Sequence, residues 1–597
     1  MNSPADLPAI HRRMQSGDLA GARLAIEGVV RSYPKSAAAW HLCGVIRRRA
    51  GDHAAAVEAF AAATKAGLLT AEIANSMACS LQELGRLTEA ESAFAEAISR
   101  DPAYLPARVN LARLKAEAGR FTEAIALLEE TIRAHPRSIL ALNALGRTLR
   151  EAGEPKYAAE TFARTLQIDP DNAEAVVYRG QALRESGRPS DAQVHFSAAL
   201  GKFGDAPELL ESHAGALIDM GETDAAKLVL DRLISKFPSY MPGHQTRARY
   251  IREFGLQEDA YSSYRDLARR HPNEQVVWSE WLRLALSYRD YAEVLEVAER
   301  ATAETGRSAT YDYAAAVAHG ELLHADNAIQ LFSSLEGILG DVPAYLTAFA
   351  RQMLRTGEPQ LAEQLATKAT YLSPHDQFAW AYLSLAWRLQ DDPREFWLHD
   401  YEEQVRYLPV QHLHESKQLE RLSEHLQRLH AARHHPPDQS LRGGTQTFGA
   451  LFVNRSSEIV ELERAIRTVL HDYIATLPDD DQHPYYCRKA KNIRFIGSWS
   501  VRLAEGGFHV AHIHHQGWVS SALHIEVPAV QPDEPKQSGA LFLGSAPDEL
   551  GLSLEPRRVI LPRPGYLALF PSSLWHGTHA YRSDEERLTV AFDAVPS

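Results

Sequence analysis

The sequence predicts a multidomain chain with an all-α part followed by a β-rich part. We expect an N-terminal solenoid of helical repeats over residues 1–390 and a helical cap or linker over 391–435. A double-stranded β-helix, or jelly-roll, domain with flanking helices is expected over 436–597. Three observations predict this. Glycine recurs every 34 residues, this register is lost after about Asp392, and short β-type runs begin at about Ile493.

Composition excludes several classes of protein. The 63 basic and 77 acidic residues give a formal charge of −14, which argues against broad binding of nucleic acid. The sequence has no signal-peptide pattern and no apolar run long enough to span a bilayer, so we expect a cytoplasmic protein without a membrane partner. The three cysteines, Cys43, Cys79 and Cys487, are widely spaced and are expected to be buried free thiols.

An internal repeat of 34 residues fills the first part of the chain. Glycine marks each unit, then alanine five residues later and often proline seventeen residues later. Glycine permits the positive φ of a chain reversal, alanine lets two helices approach closely, and proline stops the second helix. Each unit is therefore predicted to be a helix hairpin. The glycines are Gly17, Gly51, Gly85, Gly119, Gly153, Gly187, Gly221, Gly255 and Gly357, with Arg289 and Leu323 at the two intervening positions.

The unit resembles the tetratricopeptide repeat. Trp40, Leu42 and Gly44 in the second unit, and Tyr178 and Gly180 in the sixth, stand near that family's first-helix marks. About eleven units would stack into a solenoid whose concave face is available to a protein or peptide partner. The degenerate units at Arg289 and Leu323 are open to three interpretations: a bend, a partner site or drift.

The segment after the array is predicted to be mostly helical. Leu419, Leu422, Leu426 and Leu429 form one apolar face within residues 393–434. Residues 434–447 are rich in turn-forming and polar side chains and are predicted to be a loop. An amphipathic helix is then expected from Ser456 or Ser457 to about Leu477.

Short β-type runs separated by turn signals follow this helix. Alternating apolar and polar positions with Pro and Gly punctuation predict an antiparallel sandwich or barrel, and a jelly-roll fits the count best. The predicted strands are 498–503, 520–527, 539–543, 566–570 and 588–593.

Three histidines and an arginine stand at the ends of these predicted strands. His512 and His514 precede the strand at 520, His576 follows the strand ending at 570, and Arg587 begins the last strand. Iron(II) in oxygenases is usually held by two imidazoles and a carboxylate. Here His514 takes the place of the carboxylate, so the third ligand is either His514 or water. Zinc also suits three histidines, and His514 outside the coordination shell is a further alternative.

Arg587 favours iron with an oxoacid. A guanidinium fork pairs bidentately with a carboxylate, and Thr589 and Ser500 offer hydroxyl groups beside it.

Four stretches of this region are similar to the 2-oxoglutarate- and iron(II)-dependent oxygenases that follow tetratricopeptide arrays in bacterial proteins. More distantly, they resemble aspartyl/asparaginyl β-hydroxylases. The stretches are Gln-Ser-Leu-Arg-Gly-Gly-Thr-Gln-Thr (439–447), Gly-Ser-Trp-Ser-Val-Arg-Leu (497–503), His512-x-His514-x-x-Gly517-Trp518 with Ser520-Ser521, and Phe570-Pro571-Ser572 with Trp575-His576.

The resemblance implies that His512 and His576 bind Fe(II), that Arg587 holds the distal carboxylate of 2-oxoglutarate and that Ser500 assists it. Dioxygen would be the second cosubstrate. Position 514 lacks the carboxylate that many members carry there, which leaves the third ligand open.

Three functions follow from these predictions. The first is hydroxylation of a side chain in a protein or peptide captured by the array. The second is a scaffold whose β domain has lost catalysis, and the third is hydroxylation of a small molecule. A glycosyltransferase is disfavoured, because roughly 200 residues after the array are too few for two nucleotide-binding domains.

Overall fold

The computed structural model describes residues 6–254, 257–415, 417–430, 440–447, 451–453, 456–583 and 585–596. The chain forms two compact units, one ending at Leu183 and one running from Arg184 to Pro596. The division falls inside the helical repeats. The second unit therefore contains both repeats and the β-strands.

The first unit consists of helices joined by short turns. Its helices are α1 Leu7–Gln15, α2 Leu19–Ser32, α3 Ala37–Arg49, α4 His53–Lys65, α5 Ala71–Glu83, α6 Leu87–Arg100, α7 Leu105–Glu117, α8 Phe121–Ala134, α9 Ile139–Glu151, α10 Pro155–Ile168 and α11 Ala173–Glu185, the last of which crosses the boundary.

The second unit begins with further hairpins of the same kind. They are formed by α12 Pro189–Phe203, α13 Pro207–Asp219, α14 Thr223–Lys236, α15 Met241–Glu253, α16 Ser262–Arg270, α17 Gln275–Ser287, α18 Tyr291–Thr305, α19 Ala309–Glu321, α20 Ala325–Leu339, α21 Pro343–Arg355, α22 Pro359–Leu372 and α23 Gln377–Leu389. Among the described residues, three α-helices follow the array: α24 Arg394–Leu398, α25 Gln418–Leu429 and α26 Ser457–Thr476.

The chain reverses in the left-handed conformation where the 34-residue period predicts it. Arg289 and Leu323 adopt φ of 55° and 63° although both carry a Cβ, so the degenerate units keep the turn. Gly255 lies outside the described residues. The other marker glycines have φ between 71° and 89°: Gly17, Gly51, Gly85, Gly119, Gly153, Gly187, Gly221 and Gly357.

The marker alanines lie between the helices of each hairpin, as predicted. Close approach is visible beside them: a Cβ on Gly44 would lie 2.6 Å from the ring of Phe60, and one on Gly146 would lie 2.6 Å from Phe162. These positions build the core. Nine alanines are fully buried: Ala22, Ala56, Ala90, Ala124, Ala158, Ala192, Ala226, Ala328 and Ala362.

Two antiparallel sheets form the C-terminal β domain. The described strands are β1 Arg406–Pro409, β2 Leu441–Gln446, β3 Ile493–His509, β4 Val519–Glu526, β5 Leu541–Leu543, β6 Arg558–Ile560, β7 Tyr566–Pro571, β8 His576–Thr578 and β9 Arg587–Pro596. Six strands pair in the order β1-β7-β4-β9-β3-β2, and three pair in the order β6-β5-β8. This arrangement is consistent with the predicted jelly-roll.

The six-stranded sheet has two distinct faces. On its inner face, Ala568 and Phe570 of β7 pack against Leu541 and Leu543 of the smaller sheet. On its outer face, Leu523, Val590 and Phe592 belong to one apolar cluster with Leu462, Ile466 and Leu470 of α26. Successive side chains of a strand point to opposite faces, so odd-numbered positions from Arg587 to Asp593 lie on the inner face.

Strands β1 and β2 lie where the sequence predicts helix and loop. β1 has only four residues and pairs with β7 at the edge of the sheet. β2 pairs with β3, and its two glycines belong to a bulge: Gly443 has φ 68°, and a Cβ on Gly444 would lie 2.3 Å from the Arg502 carbonyl oxygen. The two glycines therefore allow β2 and β3 to lie close together. Residues 434–439 of the predicted loop lie outside the described part of the chain.

Two further expectations concern thiols and membranes. Cys43 is buried as predicted, but Cys79 is partly buried and Cys487 is exposed. Within the part of the chain that the structure describes, no helix combines the length and apolar character needed to cross a membrane.

Candidate functional site

His512, His514 and His576 meet at one end of the β domain. The first two lie between β3 and β4, and His576 begins β8. His512 and His576 form an antiparallel bridge in which each backbone N–H donates to the other's carbonyl oxygen, at 2.9 and 3.0 Å. One nitrogen from each ring lies within 4.8 Å of those from the other two rings. Among the described residues, no other group of three His, Cys, Asp or Glu side chains has this geometry.

The hydrogen bonds of the three rings fix which nitrogen faces the centre. His512 Nδ1 lies 2.8 Å from Val510 O, and His576 Nδ1 lies 2.9 Å from Leu574 O. His514 Nδ1 lies 2.6 Å from Asp593 Oδ1. Because each partner is an acceptor, each Nδ1 carries a proton, and a neutral imidazole of this tautomer has its lone pair on Nε2.

These lone pairs converge. His512 Nε2 and His514 Nε2 are 3.1 Å apart. Two acceptors at this distance repel each other unless a cation or a proton lies between them. Neighbouring nitrogen ligands around a metal with metal–nitrogen distances of about 2.1 Å are about 3 Å apart. The donor set therefore fits a divalent metal.

Burial keeps the imidazoles of His512 and His576 neutral. It lowers the pKa of His512 to about 3, with a further contribution from nearby His514. Burial also holds the pKa of His576 well below its usual value. Neutral imidazoles are the form that binds metals.

Asp593 is a site residue that the sequence analysis missed. Its Oδ1 also accepts a hydrogen bond from Ser520 Oγ at 2.7 Å, and Ser520 in turn contacts Ser572 at 2.8 Å. A carboxylate that accepts the second N–H of a ligating histidine fixes the orientation of its ring. The inward position of an acidic residue in the last strand was the available signal.

Two glycines allow the histidine segments to lie close together. A Cβ on Gly577 would lie 2.5 Å from Phe542 and 2.7 Å from the His509 carbonyl oxygen. A Cβ on Gly517 would lie 2.2 Å from Ser572 Oγ. Both positions therefore need a residue without a side chain.

Arg587 lies on the inner face of β9, six residues before Asp593. Six residues correspond to about 20 Å along a strand. Arg587 is 2% exposed and donates from Nη1 to Gly539 O at 2.5 Å, while its Nε has no acceptor among the described residues. Burial lowers its pKa to about 10, which leaves it charged at neutral pH. A buried cation with an unsatisfied donor fits a carboxylate ligand.

Arg587 also lines a cavity of about 230 Å³ with Lys536, Ser538 and Tyr581. None of the three histidines lines this cavity.

Thr589 shares the inner face with Arg587, whereas Ser500 does not. Thr589 is paired with His524 of β4, whose Nδ1 lies 3.0 Å from the Tyr407 hydroxyl. Ser500 is paired with Val590 and so lies on the outer face, where its Oγ is 3.1 Å from His430 Nε2. The expectation that Ser500 offers its hydroxyl beside Arg587 therefore disagrees with the strand register.

Comparison with protein families adds to this geometry. Residues 497–593 match the profile described as "Putative 2OG-Fe(II) oxygenase". Residues 7–67, 81–147 and 149–209 match profiles of the tetratricopeptide repeat. The chain therefore carries tetratricopeptide repeats and a C-terminal domain that matches this oxygenase family. The matched range of the oxygenase domain contains all three histidines, Arg587 and Asp593. Tyr407 of β1, whose hydroxyl group contacts His524, lies before this range.

No curated protein matches the chain significantly. Among solved structures, PilW, a type IV pilus biogenesis factor, is 25% identical over 34% of this chain and 95% of its own, with a TM-score of 0.31. A tetratricopeptide repeat protein from Parabacteroides merdae is 17% identical over 41% of this chain and 97% of its own, with a TM-score of 0.31. YrrB is 20% identical over 31% of this chain and 96% of its own, with a TM-score of 0.27.

Proposed function

We propose that the chain is a 2-oxoglutarate- and Fe(II)-dependent oxygenase whose metal is held by His512, His514 and His576. The observation that carries this proposal is the clustering of the three imidazoles, with one nitrogen of each within 4.8 Å of those of the other two, while each Nδ1 contacts an acceptor elsewhere. Three imidazoles also suit zinc. The family match and the buried cation at Arg587 favour iron together with an oxoacid.

Bound Fe(II) would supply the oxidation, in which 2-oxoglutarate and dioxygen give succinate and CO2 while one oxygen atom enters a C–H bond of the substrate. The side chains of the protein would hold the metal and orient its ligands. The three imidazoles leave the remaining coordination positions open, and Asp593 fixes the ring of His514.

Arg587 would bind the distal carboxylate of 2-oxoglutarate. Its Nε offers a buried donor, and Thr589 adds a hydroxyl group on the same face of β9. Binding a dianion there replaces an unsatisfied donor with a charge-assisted hydrogen bond, which is stronger in a buried site than in water.

Aromatic side chains would limit the access of water to the metal. The ring of Phe570 lies 4.6 Å from that of His576, and the ring of Trp499 lies 5.6 Å from that of His514. Exclusion of water protects a reactive centre from side reactions.

We further propose that the substrate is a side chain of a protein or peptide bound by the repeats. Stacked helical repeats present extended surfaces of the kind that bind polypeptides. Hydroxylation of a small molecule is the second candidate, and a scaffold without catalysis is the third. The buried Arg587 and the lowered pKa values of His512 and His576 favour catalysis over the scaffold.

Succinate formation tests the enzyme proposal. The full chain is loaded with Fe(II) and incubated with 2-oxoglutarate, ascorbate and air, and succinate is quantified with and without a peptide library. We expect succinate above the level of His576→Ala, and a gain of one oxygen atom on particular peptides. Equal succinate from the wild type and His576→Ala would contradict the proposal. Turnover without any oxidised peptide would point to a small substrate.

A further inference from the structure

Helices α21 and α23, at the end of the repeat array, pack against the chain segments that carry the three histidines. Ile513 lies between His512 and His514, and Trp575 precedes His576. Ile513 and Trp575 are 8% and 4% exposed. Both belong to one apolar cluster with residues of α21 and α23, among them Met353, Tyr382 and Trp387.

This packing determines where the histidines point. Neighbouring side chains in an extended segment point to opposite sides. When Ile513 and Trp575 are held in the apolar cluster of the array, His512, His514 and His576 are turned the other way, towards one another. The repeats therefore hold the histidine segments on the side opposite to the three imidazole rings.

Trp575 is the most specific of these contacts. Its indole Nε1 donates to the carbonyl oxygen of Ala381 at 3.1 Å, and its ring lies 5.6 Å from that of Tyr382. Ala381 and Tyr382 both belong to α23. A carbonyl oxygen inside a helix already accepts a hydrogen bond from the helix backbone. A second hydrogen bond from the indole therefore fixes where Trp575 lies along α23 as well as how deeply its ring is buried.

A buried histidine makes a second link to α23. His399 is 1% exposed, and its Nδ1 and Nε2 lie 3.1 Å from Ser384 Oγ and 3.0 Å from Ser573 Oγ. Ser384 belongs to α23, and Ser573 lies three residues before His576. The bridge therefore ties the His576 segment to the array at a second point.

Two further contacts extend the interface on either side. Phe378 of α23 stacks on His515, with ring centroids 5.6 Å apart at 13°. Arg388, near the end of α23, donates to the carbonyl oxygens of Gly544 and Glu555, both at 2.6 Å. Contacts are thus spread along the length of the helix.

We propose that α23 is a structural part of the metal site, with Trp575 and the Ser384–His399–Ser573 bridge as positioning groups that hold the histidines in binding geometry. This inference rests on the proposed metal-binding function. It also means that the oxygenase domain depends on the last repeat for its metal affinity.

Cobalt(II) binding to the full chain tests this proposal, because the visible absorption of Co(II) reports both affinity and coordination geometry. Trp575→Phe keeps a large ring but removes the donor to Ala381. We expect its Co(II) affinity to fall about 10-fold, the lower end for groups that orient metal ligands, with a changed spectrum. Ser384→Ala should weaken binding about threefold, as expected for one hydrogen bond.

Trp380→Phe is the matched control. Trp380 lies on the same helix at the edge of the same apolar cluster, but its Nε1 donates to Pro374 O at 2.8 Å and not to the segments that carry the histidines. The Trp380→Phe variant should bind Co(II) with an affinity within about twofold of the wild type. The same is expected of Ser334→Ala, which removes a hydroxyl group that is hydrogen-bonded within α20.

Four outcomes are decisive. Unchanged affinity and spectrum in Trp575→Phe would overturn the proposal, and so would an equal loss in Trp380→Phe. If Trp575→Phe does not fold, the Co(II) affinity of Ser384→Ala tests the proposal. An unchanged affinity in Ser384→Ala would overturn the proposal. Absence of Co(II) binding in the wild type would instead remove the metal site itself, which separates failure of this inference from failure of the proposed function.

Discussion

His514 Nδ1 lies 2.6 and 2.7 Å from the two carboxylate oxygens of Asp593, 79 positions further along the chain. The pair joins the loop before β4 to the last strand. It also determines which nitrogen of His514 faces the other two histidines, because the carboxylate can only accept the proton carried by Nδ1. The geometry of the triad thus depends on a residue outside it.

Asp593→Asn should weaken metal binding about 10- to 100-fold, as loss of the partner of a ligating histidine usually does. The amide is uncharged and is a weaker acceptor, so His514 becomes a less basic and less well oriented ligand. Competition titration with a chromophoric chelator measures the change. Asp533→Asn serves as the control, since the Asp533 side chain is 78% exposed. Equal affinity in the wild type and Asp593→Asn would contradict the role of this pair.

Arg587→Lys should weaken 2-oxoglutarate binding while leaving metal affinity within about twofold. Lysine keeps the charge but loses the planar fork that pairs with a carboxylate. Isothermal titration of the metal-loaded protein with 2-oxoglutarate measures the affinity, and a loss of about 10-fold or more is expected. Arg582→Lys changes a side chain that is 71% exposed and should have no effect. A parallel loss of metal binding in Arg587→Lys would place Arg587 in a different role.

Leu323→Gly should stabilise the second unit by about 1 kcal/mol, because leucine at φ 63° bears the cost of a left-handed conformation. Leu323 is 71% exposed, so little packing is lost. The adjacent Leu322 has φ −86°, and Leu322→Gly should instead destabilise. Thermal unfolding of the two variants checks the opposite signs. A lower midpoint for Leu323→Gly would refute the strained turn.

His430 should make stability depend on pH. Burial lowers its folded-state pKa to about 4, below the ordinary value of 6.5. Below pH 6.5 the unfolded chain binds a proton that the folded chain does not, so stability is lost as pH falls, by about 1.4 kcal/mol per pH unit for this group.

His430→Gln removes that proton. The variant should be less stable than the wild type at pH 7.5, and the difference in unfolding midpoint should narrow between pH 6.5 and 5. A constant difference over this range would contradict the assigned cause.

The repeats could be predicted from the sequence because each marker has a single physical reason. A 34-residue period of glycine and alanine records a left-handed turn and a close helix contact, and both are found at the predicted positions. The exceptions at Arg289 and Leu323 could not be interpreted from sequence, because the turn is kept there by residues that rarely adopt it.

The site was predictable in part. The spacing of His512, His514 and His576 at predicted strand ends indicated that they meet, and they do. Asp593 and Trp575 act through contacts between segments far apart in sequence. The inward position of Asp593 in the last strand marks it as unusual, but the sequence does not show that its partner is His514. Ser500 was assigned to the site from its motif, but only the pairing register decides which face of the sheet a residue occupies.

The most direct measurement of the central claim is an anaerobic titration of the metal-free chain with Fe(II) and then 2-oxoglutarate, followed by visible absorption. We expect a charge-transfer band to develop with 2-oxoglutarate in the wild type, to be lost in His512→Ala and His576→Ala, and to be weakened in His514→Ala. Absence of the band in the wild type, or its survival in His512→Ala or His576→Ala, would contradict a three-histidine iron site that binds 2-oxoglutarate.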